Sequence, residues 1–397
     1  MIEVVGLSAR GWQDLPERLR ATIRYAEVLL GSRRHFNLIP SFPDQQRLPW
    51  PTPLREGLPT LLSQVGDRRI VALASGDPLV AGIGSTMVDM LGADAVHIHP
   101  AVSSVALARA RMGWPEETTE LVRLRGGDLD GVRRYLFPGQ RLIILSRDGD
   151  SPAEVAQLVT DAGYGDSTIT VLGDLDTEAE SRLDVMARDW TGRAPTLNVI
   201  CVACAGAGSA ASLAPGLPDD IFDHDGQLTK RDLRAAALAR LMPRPGDLLW
   251  DVGAGAGSIA IEWLRSDPRC RAIAIERDGD RVKRIRGNAE ALGVPGLDVL
   301  HGEAPDALTS LERPDAVFVG GGGTFETLEQ AWSALRGGGR LVVHAVTQET
   351  EVIIVDCWRR YGGQLTRHSV EHLEPIGRYH GWRPARPVVQ WSAIKGS

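Results

Sequence analysis

The stretch DVGAGAGSIAIEW, residues 251–263, constrains the fold more than any other, because it joins an apolar strand to a helix through a glycine-rich turn. Gly253, Gly255 and Gly257 let the backbone approach a ligand closely, and the first turn of the following helix presents unpaired N–H groups. Such a strand–turn–helix unit is typical of nucleotide-binding sites at the carboxyl edge of a parallel sheet. The second half of the chain is therefore predicted to bind a nucleotide-like cofactor.

The spacing of the glycines distinguishes two cofactor classes. A dinucleotide fingerprint, G-x-G-x-x-G, would have its third glycine at the position that Ser258 occupies. Glu276 ends the next apolar run, about 20 residues on, where a carboxylate accepts the ribose hydroxyls of either cofactor. The acidic lead-in of D-V-G-A-G-A-G resembles the first motif of class I S-adenosylmethionine (SAM)-dependent methyltransferases. The resemblance implies that SAM contacts the turn, Glu276, and the pair that follows the third strand; these residues are Gly253, Ala254, Gly255, Ala256, Gly257, Glu276, Glu303 and Ala304.

Strand and helix signals alternate on both sides of a segment rich in Ala, Gly and Ser, residues 206–216. Short apolar runs before it include IEVVGL and RLIILS, and those after it include CRAIAIE and GRLVVHAV; PERLRATIRYAEVLL (16–30) has a helical pattern. The alternation predicts two α/β domains with mainly parallel sheets, over residues 1–205 and 217–397, joined by a linker. A length of 397 residues also favours two cores over one.

Three motifs of the second half occur together: PDD at 218–220, TK-x-x-x-R at 229–234, and four glycines at 320–323. Together they resemble the precorrin decarboxylase–methyltransferase domain of cobalamin biosynthesis. The resemblance implies that Thr229 lies beside the cofactor, although Asp232 three positions later fits an N-cap role for Thr229 equally well. The glycine loop, Gly320, Gly321, Gly322 and Gly323, is expected to lie flat against a large planar substrate.

Four residues, of which Glu303 is also a candidate cofactor contact, are candidates for substrate chemistry. Glu303 and His344 lie near strand ends and are candidates for the acid that assists a decarboxylation. Arg231 and Arg234 are candidates for binding substrate carboxylates in bidentate fashion, with a solvated helix face as the alternative.

The first half carries two glycine-containing turns after apolar runs, ALASGDPLVAGIGST (72–86) and HPAVSSVALARARMGW (99–114). With VVGLSARGW and GSRRHF they resemble the tetrapyrrole methylase family, in particular its cobalt-precorrin C5-methyltransferase branch. The resemblance implies a double α/β domain that binds SAM in a cleft. The residues that match the family's cofactor loops are Gly76, Asp77, Pro78, Ser103 and Ser104.

Two departures from the tetrapyrrole methylase pattern concern the same cleft. The family's opening G-x-G-P-G is replaced by the stretch from Gly6 to Gly11, and Ala101 stands where P-G-x-S-S has its glycine. An inactive scaffold is therefore the alternative for the first half. Asp77 also fits an ordinary turn aspartate before Pro78.

Together the two resemblances imply methylation of a precorrin macrocycle at C5 and C15, with decarboxylation of the ring C (C12) acetate, from precorrin-6B to precorrin-8. They imply one SAM per domain. A nicotinamide oxidoreductase, an RNA methyltransferase and a non-catalytic corrinoid carrier are the alternatives. A net charge of −7 provides no electrostatic footprint for nucleic acid, so no nucleic-acid partner is expected.

Location, metals and assembly are the remaining expectations. The first residues lack a signal-peptide pattern, and the uncharged run 194–218 is too rich in Ala, Gly, Ser and Pro to span a bilayer, so a cytoplasmic protein without a membrane partner is expected. His35, His97 and His99 have no recognisable carboxylate partner in the sequence, so no metal is expected. The resemblance of each half to families whose free-standing members commonly self-associate implies a homo-oligomer.

Overall fold

The computed structural model describes residues 1–124, 129–208 and 212–396. The chain forms two compact units. Unit 1 comprises Met1–Leu129 and Tyr135–Gly208, and unit 2 comprises Asp130–Arg134 and Ser209–Ser397. Of the predicted linker 206–216, residues 209–211 lie outside the described part.

Unit 1 contains ten strands and six α-helices within the described ranges. The strands are β1 (Ile2–Leu7), β2 (Val28–Gly31), β3 (Gln46–Pro49), β4 (Ile70–Ser75), β5 (Val96–His99), β6 (Glu120–Arg123), β7 (Arg141–Leu145), β8 (Thr168–Gly173), β9 (Ser181–Met186) and β10 (Asn198–Ala203). The helices are α1 (Glu17–Arg24), α2 (Arg33–Asn37), α3 (Leu54–Val65), α4 (Ile83–Leu91), α5 (Ser104–Met112) and α6 (Ser151–Val159). The helix predicted over 16–30 is wrong beyond Arg24, because the apolar residues of β2 are buried within a sheet instead.

The strands of unit 1 form two five-stranded sheets. The first has the order β3-β2-β4-β1-β5 and is entirely parallel. The second has the order β6-β7-β10-β8-β9, and only its β6–β7 pair is parallel. The α/β class is thus confirmed, but the prediction of mainly parallel sheets is wrong for the second sheet. Its strands β8 and β9 form an antiparallel pair across a short connection, which the alternation of strand and helix signals did not reveal.

Unit 2 contains five α-helices and nine strands in the described ranges. In chain order they are α7 (Arg231–Leu241), β11 (Leu248–Val252), α8 (Ser258–Ser266), β12 (Arg271–Glu276), α9 (Gly279–Ala291), β13 (Asp298–His301), β14 (Ala316–Val319), α10 (Phe325–Ala334), β15 (Arg340–Ala345), α11 (Gln348–Tyr361), β16 (Gln364–His368), β17 (Glu371–Ile376), β18 (Tyr379–Pro384) and β19 (Val388–Ile394).

Seven of these strands form one sheet, of order β13-β12-β11-β14-β15-β19-β16. The five strands from β13 to β15 are parallel, and β19 runs antiparallel to both of its neighbours. All five residues of β11 are buried, with one apolar core on each face of the sheet. The strand order reverses direction between β11 and β14, and such a point in a parallel sheet opens a crevice at the carboxyl ends of the strands.

A short segment from the first half of the sequence belongs to unit 2. Arg134 is buried there, and its guanidinium donates hydrogen bonds to the carbonyl oxygens of Leu264 (2.9 Å) and Arg265 (2.6 Å) at the end of α8. Unit 2 is therefore built from two separate stretches of the chain. Among the described helices of both units, none is long and apolar enough to cross a membrane.

Candidate functional site

Unit 2 contains a cavity of about 1180 Å³ at the carboxyl ends of its parallel strands. Most of the predicted site residues of this half line it together; these are Thr229, Arg231, Gly253, Ala254, Gly255, Glu276, Glu303, Ala304, Gly320, Gly321, Gly322, Gly323 and His344. Ala256 and Gly257 belong to the same turn but are buried behind it. The structure thus brings residues from six separate segments of the sequence to one site.

The glycine turn follows β11 and leads into α8. Gly253, Gly255 and Gly257 have φ angles of 69°, 59° and 77°, which side chains strongly disfavour. A Cβ atom at Gly255 would lie 2.6 Å from the carbonyl oxygen of Gln227. Position 255 therefore requires glycine for two reasons, which are its positive φ angle and the close approach of the backbone at Gln227.

Glu276, at the end of β12, is 4% exposed and is held by backbone amides. Its Oε2 accepts a hydrogen bond from the N–H of Gly255 (2.9 Å), and its Oε1 accepts one from the N–H of Asp278 (3.0 Å). These bonds fix the carboxylate at the cavity wall and leave other lone pairs for a ligand.

Asp251 lies in β11 beneath the turn and is buried. Its Oδ2 accepts a hydrogen bond from the N–H of Ala260 (3.0 Å), whereas its Oδ1 has no hydrogen-bond partner within the described ranges. Burial raises the pKa of Asp251 to about 7, and the nearby charge of Glu276 contributes in the same direction. The acidic residue that introduces the turn is therefore poised to lose its proton near neutral pH.

Arg234 does not line the cavity, and the prediction that it binds substrate is wrong. Its side chain is fully buried and makes an ion pair with buried Glu262, with Nε 2.5 Å from Oε1. The same guanidinium donates to the carboxylate of Asp219 (3.1 Å) and to the carbonyl oxygens of Thr229 and Leu217. Arg234 thus ties the PDD segment and the TK segment to α8.

Thr229 lies in the cavity wall, next to the start of α7. The N-cap of α7 is Lys230, and no side chain caps this helix. The N-cap role considered for Thr229 is therefore wrong. The carbonyl oxygen of Thr229 accepts the hydrogen bond from Arg234, so its backbone is anchored.

The two predicted acids have different environments. Glu303 is exposed at the rim of the cavity and pairs with the guanidinium of exposed Arg277 (3.0 Å). His344 is buried, and burial lowers its pKa to about 4. Its Nε2 lies 2.9 Å from Oε1 of Gln390, which can only accept, so the imidazole donates this hydrogen bond. His344 is therefore neutral at pH 7, which contradicts its predicted role as a proton donor.

The glycine loop after β14 forms an open part of the wall. Gly322 has a φ of 87°, but a Cβ atom at Gly321 would meet no protein atom within 4 Å. Protein packing therefore does not demand glycine at Gly321, whereas a flat ligand against the loop would.

Part of the cavity wall comes from the last strands and was not predicted from the sequence. His368, at the end of β16, lines the cavity, and its Nε2 is buried without a hydrogen-bond partner among the described residues. Exposed His372 and Arg386 line the cavity as well. The only available signal was the cluster of histidines and arginines near the C-terminus, which had no predicted strands to position it.

In unit 1, the predicted cofactor loops meet at the carboxyl end of the first sheet. A Cβ atom at Gly6 would lie 2.0 Å from the carbonyl oxygen of Gly76 and 2.8 Å from the nitrogen of Ala101. The N–H of Ala101 donates to that same carbonyl oxygen (3.2 Å). The absence of a side chain at Gly6 therefore lets the loops of Gly76 and Ala101 pack directly against the end of β1. Ala101 does not have a positive φ, so alanine fits where the family has glycine.

The polar side chains of these loops are engaged locally. Oδ1 of Asp77 accepts from the N–H of Leu79 (2.8 Å), which is the turn role considered for it. Ser103 caps α5 through the N–H of Ala106 (3.1 Å), and exposed Ser104 is the first residue of that helix. These bonds shape the loops that the family resemblance assigns to cofactor binding.

His35 contacts the same region. Its Nδ1 accepts from the N–H of Ser32 (3.2 Å), so Nε2 carries the proton and donates to Oγ of Ser75 (2.9 Å), the residue before Gly76. Burial, with a smaller contribution from Arg34, lowers the pKa of His35 to about 4. His35 is a neutral residue that orients Ser75.

The expectation that His97 and His99 lack a carboxylate partner is wrong. Glu3, in the neighbouring strand, lies within 3.1 Å of the first ring and 2.5 Å of the second.

The chain is similar to proteins of one kind over both units. A family model described as "Precorrin methyltransferase domain" matches residues 220–395, and one described as "Tetrapyrrole (Corrin/Porphyrin) Methylases" matches residues 1–183. A precorrin-6Y C(5,15)-methyltransferase (decarboxylating) from a Sinorhizobium species is 41% identical over 399 residues, which cover 100% of this chain and 96% of the relative. The protein of the same name from Mycobacterium tuberculosis is 44% identical over 401 residues and covers 100% of both chains.

A shorter relative matches the second half. It is a cobalt-precorrin-6B C(15)-methyltransferase (decarboxylating) from Salmonella typhi, 34% identical over 169 residues, which cover 41% of this chain and 85% of the relative.

Proposed function

Because the chain belongs to the family of precorrin-6Y C(5,15)-methyltransferases (decarboxylating), which use SAM, we propose a division of labour between its two units. Residues 217–397, which lie in unit 2, methylate C15 of the macrocycle and decarboxylate the ring C acetate. Residues 1–205, all but five of which lie in unit 1, methylate C5. The observation that carries this proposal is the 44% sequence identity to a relative of this name over the full length of both chains. The half-length relative named for C15 methylation and decarboxylation supports the assignment of unit 2.

One SAM binds in the cavity of unit 2, where it supplies a methyl group activated by the sulfonium charge. Three features fit it: the close approach at Gly255, the amide-held carboxylate of Glu276 for the ribose hydroxyls, and the N-terminal turn of α8. Thr229, Glu303 and Ala304 complete the proposed cofactor wall. The protein's task is to hold donor and acceptor in reacting geometry, which contributes about 7–11 kcal/mol.

The macrocycle is proposed to lie against the glycine loop, with its carboxylates toward the cationic rim. Exposed Arg231 and Arg386 line the cavity and have the planar guanidinium that pairs with acetate and propionate groups. His368 offers a buried nitrogen without a partner in the described part of the chain, and therefore a hydrogen bond to the substrate.

For decarboxylation, the cavity is proposed to shield the ring C acetate from water. Val319, Val346, Val370 and Val388 line the cavity near neutral His344. An apolar wall destabilises a carboxylate relative to the uncharged carbon dioxide that leaves. The bond to the carboxyl carbon breaks, its electron pair enters the conjugated macrocycle, and one proton is taken up from solvent.

The second SAM is proposed to bind in unit 1, at the loops of Gly76, Asp77, Pro78, Ser103 and Ser104. The packing of Gly6, Gly76 and Ala101 supports a formed site in spite of the altered motifs.

Calorimetric titration of the full chain with SAM tests the proposal. Two SAM sites per chain are expected. Incubation with precorrin-6B should then give a product whose mass shows the gain of two methyl groups and the loss of one carboxyl group. A single site that disappears in a Gly255→Ala variant would contradict the proposed site in unit 1. Binding of NADH in place of SAM would contradict both sites.

A further inference from the structure

Three side chains that the proposed reactions do not use converge at one edge of unit 1. The edge strand β5 pairs with β1, with Glu3 opposite His97 and Val5 opposite His99. Alternate residues of a strand share a face, so His97, His99 and Glu3 project from the same side of the sheet. Oε2 of Glu3 lies 3.1 Å from Nδ1 of His97 and 2.5 Å from Nε2 of His99.

The donor set and its exposure fit a metal ion. One atom from each side chain lies within 4.8 Å of the others, close enough for small rotations to bring all three onto one centre. Two imidazole nitrogens and one carboxylate oxygen are ligands that Zn²⁺ and its neighbours among the divalent transition metals accept. The side chain of His99 is 7% exposed, whereas Glu3 and His97 are 32% and 54% exposed. An ion therefore has access from solvent, and water can complete its coordination.

We propose that Glu3, His97 and His99 bind one divalent transition-metal ion of the zinc class. The ion replaces the proton in the hydrogen bond between His99 and Glu3 and joins the edge strand β5 to β1. Because β5 ends at His99 and continues directly into the loop with Ala101 and Ser103, the ion also anchors the base of that loop.

The test uses the full-length protein, stripped of metal with a chelator and titrated with Zn²⁺ by calorimetry. One Zn²⁺ per chain is expected, with a rise in melting temperature on saturation. His97→Ala and Glu3→Gln should each weaken binding at least about tenfold, because loss of even an outer-shell partner of a metal ligand has that effect. His97 is the variant of choice, since its exposed ring can be removed without opening the core.

Histidines elsewhere in the chain supply the control. His380 is exposed on β18 in unit 2, and His380→Ala should leave the Zn²⁺ affinity unchanged. Substitution of Co²⁺ for Zn²⁺ gives a second readout. The bound Co²⁺ should show a visible ligand-field spectrum, and this spectrum should be absent from the His97→Ala variant. Absence of binding, or binding that His97→Ala and Glu3→Gln leave unchanged, would overturn the proposal and leave the His99–Glu3 hydrogen bond as the contact that this cluster supplies.

Discussion

Nε of Arg234, in α7, lies 2.5 Å from Oε1 of Glu262, in α8, and both side chains are buried. Glu262 also accepts hydrogen bonds from the backbone N–H groups of Gly216 (2.6 Å) and Leu217 (3.0 Å). The pair therefore joins the segment of Gly216 and Leu217 to both α7 and α8.

Removal of this guanidinium should destabilise the protein strongly. Arg234→Ala leaves a buried carboxylate without its cation, which costs about 3–5 kcal/mol of unfolding free energy. Arg231→Ala, on the exposed side of the same helix, should change it by less than about 0.5 kcal/mol. Urea unfolding measures both, and equal midpoints for the two variants would refute the structural role of Arg234.

Asp251 should make stability depend on pH. Its folded pKa of about 7 is raised above the unfolded value of about 3.9, so the folded state retains a proton that the unfolded state releases. This contribution to stability is complete below the unfolded pKa and is lost as the pH rises through the folded pKa.

Asp251→Asn removes that ionisation and retains an oxygen acceptor for Ala260. The stability of the variant relative to wild type should therefore increase between about pH 5 and pH 8, as measured by urea unfolding at both values. The control is Asp280→Asn, an exposed carboxylate of α9 that should show no such trend. A pH-independent difference for Asp251→Asn would show that Asp251 is already ionised in the folded protein at pH 5.

Gly255→Ala should reduce SAM binding by unit 2. The φ of 59° and the contact of 2.6 Å with Gln227 force the turn to move. A strain of about 1–3 kcal/mol at this residue corresponds to about 5–150-fold in affinity if it acts on the bound state. Gly287→Ala on α9, where a Cβ atom meets no neighbour within 4 Å, is the matched control. If calorimetry shows that Gly255→Ala binds SAM with wild-type affinity, SAM does not contact this turn.

Gly321→Val should separate substrate binding from folding. Because a Cβ atom at Gly321 meets no protein atom within 4 Å, melting temperature and SAM affinity are expected to stay at wild-type values. The KM for the precorrin should rise, because the valine occupies space at the proposed macrocycle face. Gly296→Val, at an exposed glycine with equally open surroundings, should leave the KM unchanged. An unchanged KM for Gly321→Val would place the macrocycle elsewhere.

The local features of the site were predictable from the sequence because they depend on neighbouring residues. The turn from Gly253 to Gly257 and the carboxylate of Glu276 follow from a strand–turn–helix pattern that the structure contains. Arg234 was not predictable, since a helix pattern with weak amphipathicity does not say which arginine faces the interior. The contact of Glu3 with His97 joins strands that are far apart in the sequence but neighbours in the sheet, and no spacing rule reveals such a pair.

The C-terminal strands were the other gap. His368 and Arg386 reach the cavity only because β16 and β19 add antiparallel strands to the far side of β15. The sequence of β16, QLTRH, is polar and only partly buried, and it lacks the continuous apolar run by which a buried strand is recognised. The sequence of β19, VVQWSAI, is largely apolar and buried, but nothing in it indicates that its partners are β15 and β16.

The placement of Arg134 in unit 2 has a consequence for synthesis of the chain. Arg134 precedes Leu264, whose carbonyl oxygen it binds, by 130 positions, so a ribosome makes it on the order of ten seconds earlier. Unit 2 thus completes its structure with a donor that was translated before most of unit 2 existed. A gene divided after residue 205 would place that donor on a different polypeptide from its acceptors, and the second half would then fold without the two hydrogen bonds that Arg134 donates.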